Sequence, residues 1–107
     1  MAVRDTDEAI TAEQVIATLR AHEAELRAAG IRALSLFGSV ARGDAGQDSD
    51  IDLVAEFDPA ARMDLIRLVG LERELATLLG REVQIVPEPI EKPRLRANVA
   101  RDRVRAF

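Results

Sequence analysis

Along residues 11–29 the apolar positions Val15, Ile16, Leu19 and Leu26 recur at helical spacing, opened by Thr11 with Gln14 three residues on and closed by Gly30. That pattern predicts one capped amphipathic helix. Residues 31–37 place Ile31, Ala33, Ser35 and Phe37 on one side and Leu34 and Leu36 mostly on the other, which suits a largely buried strand ended by Gly38. From 38 to 49, three glycines with serines and aspartates read as a turn, with or without one short helical turn, followed by an exposed loop. Residues 49–57 alternate Asp50, Asp52, Val54 and Glu56 with Ile51, Leu53, Ala55 and Phe57, a period of two that predicts a strand with one unusually acidic edge. Asp58 before Pro59 reads as an N-cap with Pro at the first helical position. Met63, Leu65, Ile66, Val69, Leu71, Leu75 and Leu78 carry that helix to Gly80, with Gly70 a weak point in its middle. Residues 81–87 predict a short third strand with Val83 and Ile85 inward, and a final helix starts near Pro93.

This order, without repeat or internal boundary, predicts a single domain over 1–107, an α/β unit of two or three layers. The helix at 59–79 is either a parallel crossover or part of an antiparallel return. With 48% hydrophobic and 32% charged residues the chain can build a core, which excludes disorder and fibrous repeats. No apolar run approaches the roughly 18 to 20 residues of a membrane span, and the N-terminal residues lack a signal-peptide pattern. A cytoplasmic protein with no membrane partner is expected.

Cysteine is absent, which removes disulfides, thiolate zinc sites and a Cys nucleophile together. His22 is the one imidazole, so no His pair can bind a metal, and its neighbours Ala21, Glu23 and Glu25 suggest an exposed helix position. The net charge is −4, yet residues 92–107 carry six cations against Asp102 alone. That basic tail either meets an anionic partner or forms the solvated face of the last helix. Three Phe without Trp or Tyr leave few rings for base stacking, so direct nucleic-acid binding is not expected.

The chemistry concentrates at 38–52. Asp50 and Asp52, two apart on a strand, leave the same face with α-carbons about 6.6 Å apart, so both carboxylates can reach one ion. Oxygen-only ligands suit a hard cation such as Mg²⁺, which keeps its other positions for water and substrate phosphates. Gly38 and Ser39 at the end of the preceding strand supply unobstructed backbone, a hydroxyl and, if a helical turn starts there, free N–H groups for an anion. Either feature alone is commonplace on protein surfaces; their combination is not.

Gly38-Ser39, ten residues, then Asp50-Ile51-Asp52, with strands on both sides, resembles the signature of the DNA polymerase β-like nucleotidyltransferase superfamily. Within it, the run GSVARGDAGQDSDIDLVAEF and the later LLGREVQIVP look like the minimal nucleotidyltransferase antitoxins, over nearly the whole chain. The resemblance implies a small mixed β-sheet flanked by helices and a partner toxin of the HEPN type, a helical ribonuclease. It implies transfer of AMP from ATP to a toxin tyrosine. Gly38 and Ser39 would hold the triphosphate, Asp50 and Asp52 would bind two Mg²⁺ ions, and Arg42 would shape the loop or touch phosphate.

One position departs from the family. The third carboxylate of the superfamily falls in the strand around Val83, and the matching residue is Gln84, which can neither accept a proton nor carry charge. Glu82, on the same face, is a partial substitute at best, and Glu56 lies too far along its strand. Two readings follow: an adenylyltransferase antitoxin, or an antitoxin with weakened chemistry that neutralises by covering its toxin. Transfer to a small molecule, as in aminoglycoside nucleotidyltransferases, would need a second domain that 107 residues do not supply.

Overall fold

Thr11 caps the first helix as its sequence predicts. In the computed structural model, which describes residues 10–107, its hydroxyl accepts the Gln14 N–H at 3.1 Å and its own N–H donates to Gln14 Oε1 at 2.9 Å. The single helix expected over 11–29 is instead two, α1 (Ala12–Ala21) and α2 (Glu23–Ala28). At His22 the ladder tightens, its N–H reaching Leu19 O rather than a carbonyl four residues back. No Gly or Pro marks the break, so periodicity runs through it. His22 thus sits at a junction, its Nδ1 2.5 Å from Glu25 Oε1, rather than within a continuous helix.

Strand β1 (Ile31–Phe37) follows Gly30, where φ is +114° and an added Cβ would lie 2.6 Å from the Ala61 side chain. The expected side assignment of β1 holds from Leu34 onward but fails at Ile31. A register shift between Ile31 and Ala33 turns Ile31 into the same core as Leu34 and Leu36. Five residues then form the short helix α3 (Gly38–Arg42), and β2 (Ile51–Phe57) returns antiparallel to β1.

The Asp58-Pro59 signal caps only a 3₁₀ turn over Pro59–Ala61, Asp58 Oδ1 accepting the Ala60 N–H. Arg62 then takes φ +52°, and Asp64 caps α4 (Leu65–Leu79) by accepting the Arg67 N–H at 2.8 Å. The long helix therefore starts at 65, because a second capping aspartate lies close behind the first. It runs unbroken through Gly70. Leu71 and Leu75 are buried, whereas Leu65 and Ile66 are 73% and 83% exposed.

Helix α4 is a parallel crossover, since β3 (Val83–Pro87) pairs parallel with β2. Glu72 of α4 accepts the outward N–H of Ile85 at 2.8 Å, which shields that sheet edge. Helix α5 (Pro93–Asp102) begins where Pro93 predicts, and a two-residue strand β4 (Val104–Arg105) pairs with β1. Sequence patterning misses β4 because two residues carry no period.

Among the described residues the strands form one mixed sheet in the order β3-β2-β1-β4. One face, with Leu34, Leu36, Ile51, Leu53, Val83 and Ile85, packs against α1, α2 and α4. On the other, Phe37 and Val54 pack with Ile90 and with Val99 of α5. Helices on both faces make three layers, a small mixed sheet flanked by helices as expected. No helix among the described residues is long and apolar enough to cross a membrane. The N-terminal residues 1–9, read above for a leader and included in the single domain, lie outside the described part.

Candidate active site

The β1–β2 register sets Phe37 opposite Asp52, so the chain turns into α3 at Gly38 directly beside that carboxylate. Gly38 has φ +82°, and a Cβ there would lie 2.5 Å from Asp52 Oδ2. Glycine is required twice over, by conformation and by the packed carboxylate. Ser39 follows in the first turn of α3, where backbone N–H groups lack intrahelical acceptors. The Asp44 N–H closes on Ser39 O at 3.0 Å. The loop to β2 is pinned by Ser49 Oγ, which accepts the Gly46 N–H at 2.8 Å, and by Arg81 Nη1, which donates to Gly46 O and Ser49 O. Sequence patterning does not single out Arg81, whose contacts span more than 30 residues.

Asp50 lies exposed just ahead of β2, and Asp52 is half-buried within it. Burial pushes the Asp52 carboxyl above its ordinary range, the charge of Asp50 pushes it further, and Arg42 partly opposes both. Two carboxylates with this little counter-charge form a donor set that fits a hard divalent cation. No third Asp, Glu, His or Cys joins them as a metal-binding group among the described residues.

Gln84 stands directly across from Asp52 in the parallel β2–β3 register, on the sheet face that carries Val54 and Val86. The position matched to the third carboxylate by sequence is thus next to Asp52 in space, and holds a neutral amide. Glu82 lies one step of alternation further toward Asp50 and is exposed, its carbonyl accepting the Ile51 N–H at 2.9 Å. At the opposite end of β2, Glu56 is 3.5 Å from Arg32 and takes no part in the site.

Arg42 closes α3. Its Nε donates to Asp44 Oδ2 at 3.2 Å and its Nη1 to Asp102 Oδ2 at 2.9 Å. Asp102, at the end of α5, also accepts from Arg101 Nε on Oδ1 at 2.9 Å and from Arg101 Nη2 on Oδ2 at 3.3 Å. These bonds, Arg101's foremost, hold the Asp102 carboxyl below the usual carboxylate range despite burial. Sequence reasoning placed Asp102 only as the lone acid of a basic tail.

The family model of the nucleotidyltransferase domain matches residues 19–106, a span that holds the glycine-opened turn and both aspartates. The chain belongs to that nucleotidyltransferase family. It is 35% identical over 94 residues to the protein adenylyltransferase MntA of Thermococcus cleftensis, covering 87% of this chain and 93% of the relative. A solved minimal nucleotidyltransferase superimposes with a TM-score of 0.71 at 36% identity, over 89% of this chain and 95% of its own. A toxin-antitoxin crystal structure with AMP-PNP shares the fold, with a TM-score of 0.68 at 24% identity over 82% of this chain and 72% of that one. The mixed sheet and its flanking helices are therefore the minimal nucleotidyltransferase architecture.

Proposed function

We propose that this single-domain nucleotidyltransferase is a cytoplasmic antitoxin that transfers AMP from ATP, with Mg²⁺, to a tyrosine hydroxyl of a HEPN-type toxin. The observation that carries this reading is the Gly38 turn packed on Asp52 with Asp50 beside it, in a chain 35% identical to a protein adenylyltransferase.

In the transfer, the acceptor oxygen bonds to the α-phosphorus of ATP, the bond to the pyrophosphate oxygen breaks and pyrophosphate leaves, and the hydroxyl proton passes to solvent water. When bound, two Mg²⁺ ions neutralise the triphosphate and make the acceptor hydroxyl more acidic. Asp50 and Asp52 are the residues that would hold them. Gly38 lets the backbone approach the phosphates, Ser39 offers a hydroxyl and N–H groups, and Arg42 adds a guanidinium that suits a phosphate oxygen. Gln84 cannot take the acceptor's proton, so turnover by this chain is expected to be slow.

That same amide favours a second reading, in which the protein neutralises its toxin by covering it. Intact mass of the co-expressed toxin separates the two. Addition of AMP units, lost with Asp50→Asn while the two proteins still associate, supports transfer. An unmodified toxin that is nonetheless inhibited in a stable complex supports coverage and rejects transfer.

A further inference from the structure

Asp102 is a carboxylate in an unfavourable place. It is the last residue of α5, where the helix dipole disfavours negative charge, and only 4% of its side chain is exposed. Arg101, its neighbour in the chain, already meets both of its oxygens, so local neutralisation does not require Arg42. What the Arg42 bond adds is a link across 60 residues between α5 and the turn that opens the nucleotide site.

The effect on Arg42 is geometric. A long, flexible side chain is fixed at two nitrogens by two carboxylates from different segments, Asp44 and Asp102, which orients the planar guanidinium. Its Nη2 makes no hydrogen bond among the described residues. Arg42 thus ties α5 to the five-residue helix that Gly38 opens against Asp52, with one nitrogen left for an anion.

We infer that Asp102 is a positioning residue that, through Arg42, aligns the Gly38–Arg42 turn with the phosphates of the nucleotide. The inference rests on the nucleotide reading above and adds that the C-terminal helix sets nucleotide affinity.

The test uses the full chain and AMP-PNP with Mg²⁺, titrated by calorimetry, with KM and kcat for ATP where transfer is measurable. Asp102→Asn is expected to weaken nucleotide binding about 10-fold and raise KM alike, with kcat changed less than about twofold. Arg42→Ala should weaken binding by a similar factor, and adding Asp102→Asn to it should weaken it no further. Arg101→Ala removes the other partner of Asp102 but spares the link, and should leave affinity within about twofold. If Asp102→Asn does not fold, Arg42→Lys, which keeps the charge but not the two-point geometry, should show the same loss. Wild-type affinity in Asp102→Asn, an equal loss in Arg101→Ala, or additive losses with Arg42→Ala would each overturn the inference. Failure of the wild-type chain to bind AMP-PNP would instead defeat the nucleotide reading itself, and this role with it.

Discussion

The space that a side chain at position 38 would occupy is taken by the Asp52 carboxylate. A Cβ on Gly38 would lie 2.5 Å from Oδ2 and 3.3 Å from Cβ of that residue, and the backbone there has φ +82°. Backbone turn and carboxylate are therefore set against each other, and no side chain can be added at position 38 without moving the Asp52 carboxylate.

Gly38→Ala should cost both stability and function. The left-handed conformation alone costs an Ala roughly 1–2 kcal/mol, and relief of the clash displaces Asp52. Gly43, with the same φ of +82° and nothing within 4 Å of an added Cβ, is the internal control. Denaturant unfolding should show a loss in both Ala variants. Nucleotide titration should show a loss of about 10-fold or more only in Gly38→Ala. Equal nucleotide affinity in the two variants would mean that the Gly38–Asp52 contact does not shape the site.

Asp52→Asn should stabilise the metal-free protein near neutral pH. Burial and the charge of Asp50 both oppose ionisation of Asp52, so the charged form is a net cost to the fold that a neutral amide removes. Mg²⁺ should raise the melting temperature of the wild-type chain and have little effect on the variant. The same Mg²⁺ response in both proteins, measured by thermal unfolding, would argue against Asp52 as a ligand of the proposed Mg²⁺.

Gln84→Asp should act in the opposite sense on the two properties. Placed across the strand pair from Asp52, a third carboxylate adds like charge and should lower stability without metal. As a base or ligand it should raise the transfer rate by about 10-fold or more. A fall in stability with no change in rate would show that position 84 is adjacent to the site without belonging to its chemistry.

The link from Asp102 makes a pH-dependent contribution whose sign is fixed. Its carboxyl, held down chiefly by Arg101 and also by Arg42, titrates lower in the folded chain than its ordinary value of 3.8. Stability from this group is thus fully present above about pH 4 to 5 and is lost as pH falls through the lower folded value. Thermal unfolding of Asp102→Asn should show a deficit at pH 7 that shrinks in acid. A deficit that stays constant down to pH 3 would assign it to packing rather than charge.

Most of the fold is local in origin. Alternation at 51–57, the helical spacing of Leu71 and Leu75, and the capping box at Thr11 and Gln14 are encoded within a few residues of one another, and the structure carries each as a strand, a buried helix face or a cap. Where local signals compete or fall silent, the reading slips. Two capping aspartates, Asp58 and Asp64, both precede α4, and only packing chooses between them. The helix break at His22 and the turned-in Ile31 have no marker in composition because each depends on how the helices and strands meet.

The site divides the same way. Residue types, spacing and family resemblance point to Gly38, Ser39, Arg42, Asp50 and Asp52 from sequence alone, because all five lie within one run of fifteen residues. That β2 and β3 run parallel, that Gln84 faces Asp52, and that Asp102 reaches Arg42 were decided only by the tertiary structure. Such contacts join segments 30 to 60 residues apart through sheet register and helix docking, long-range packing that leaves no periodic trace along the chain.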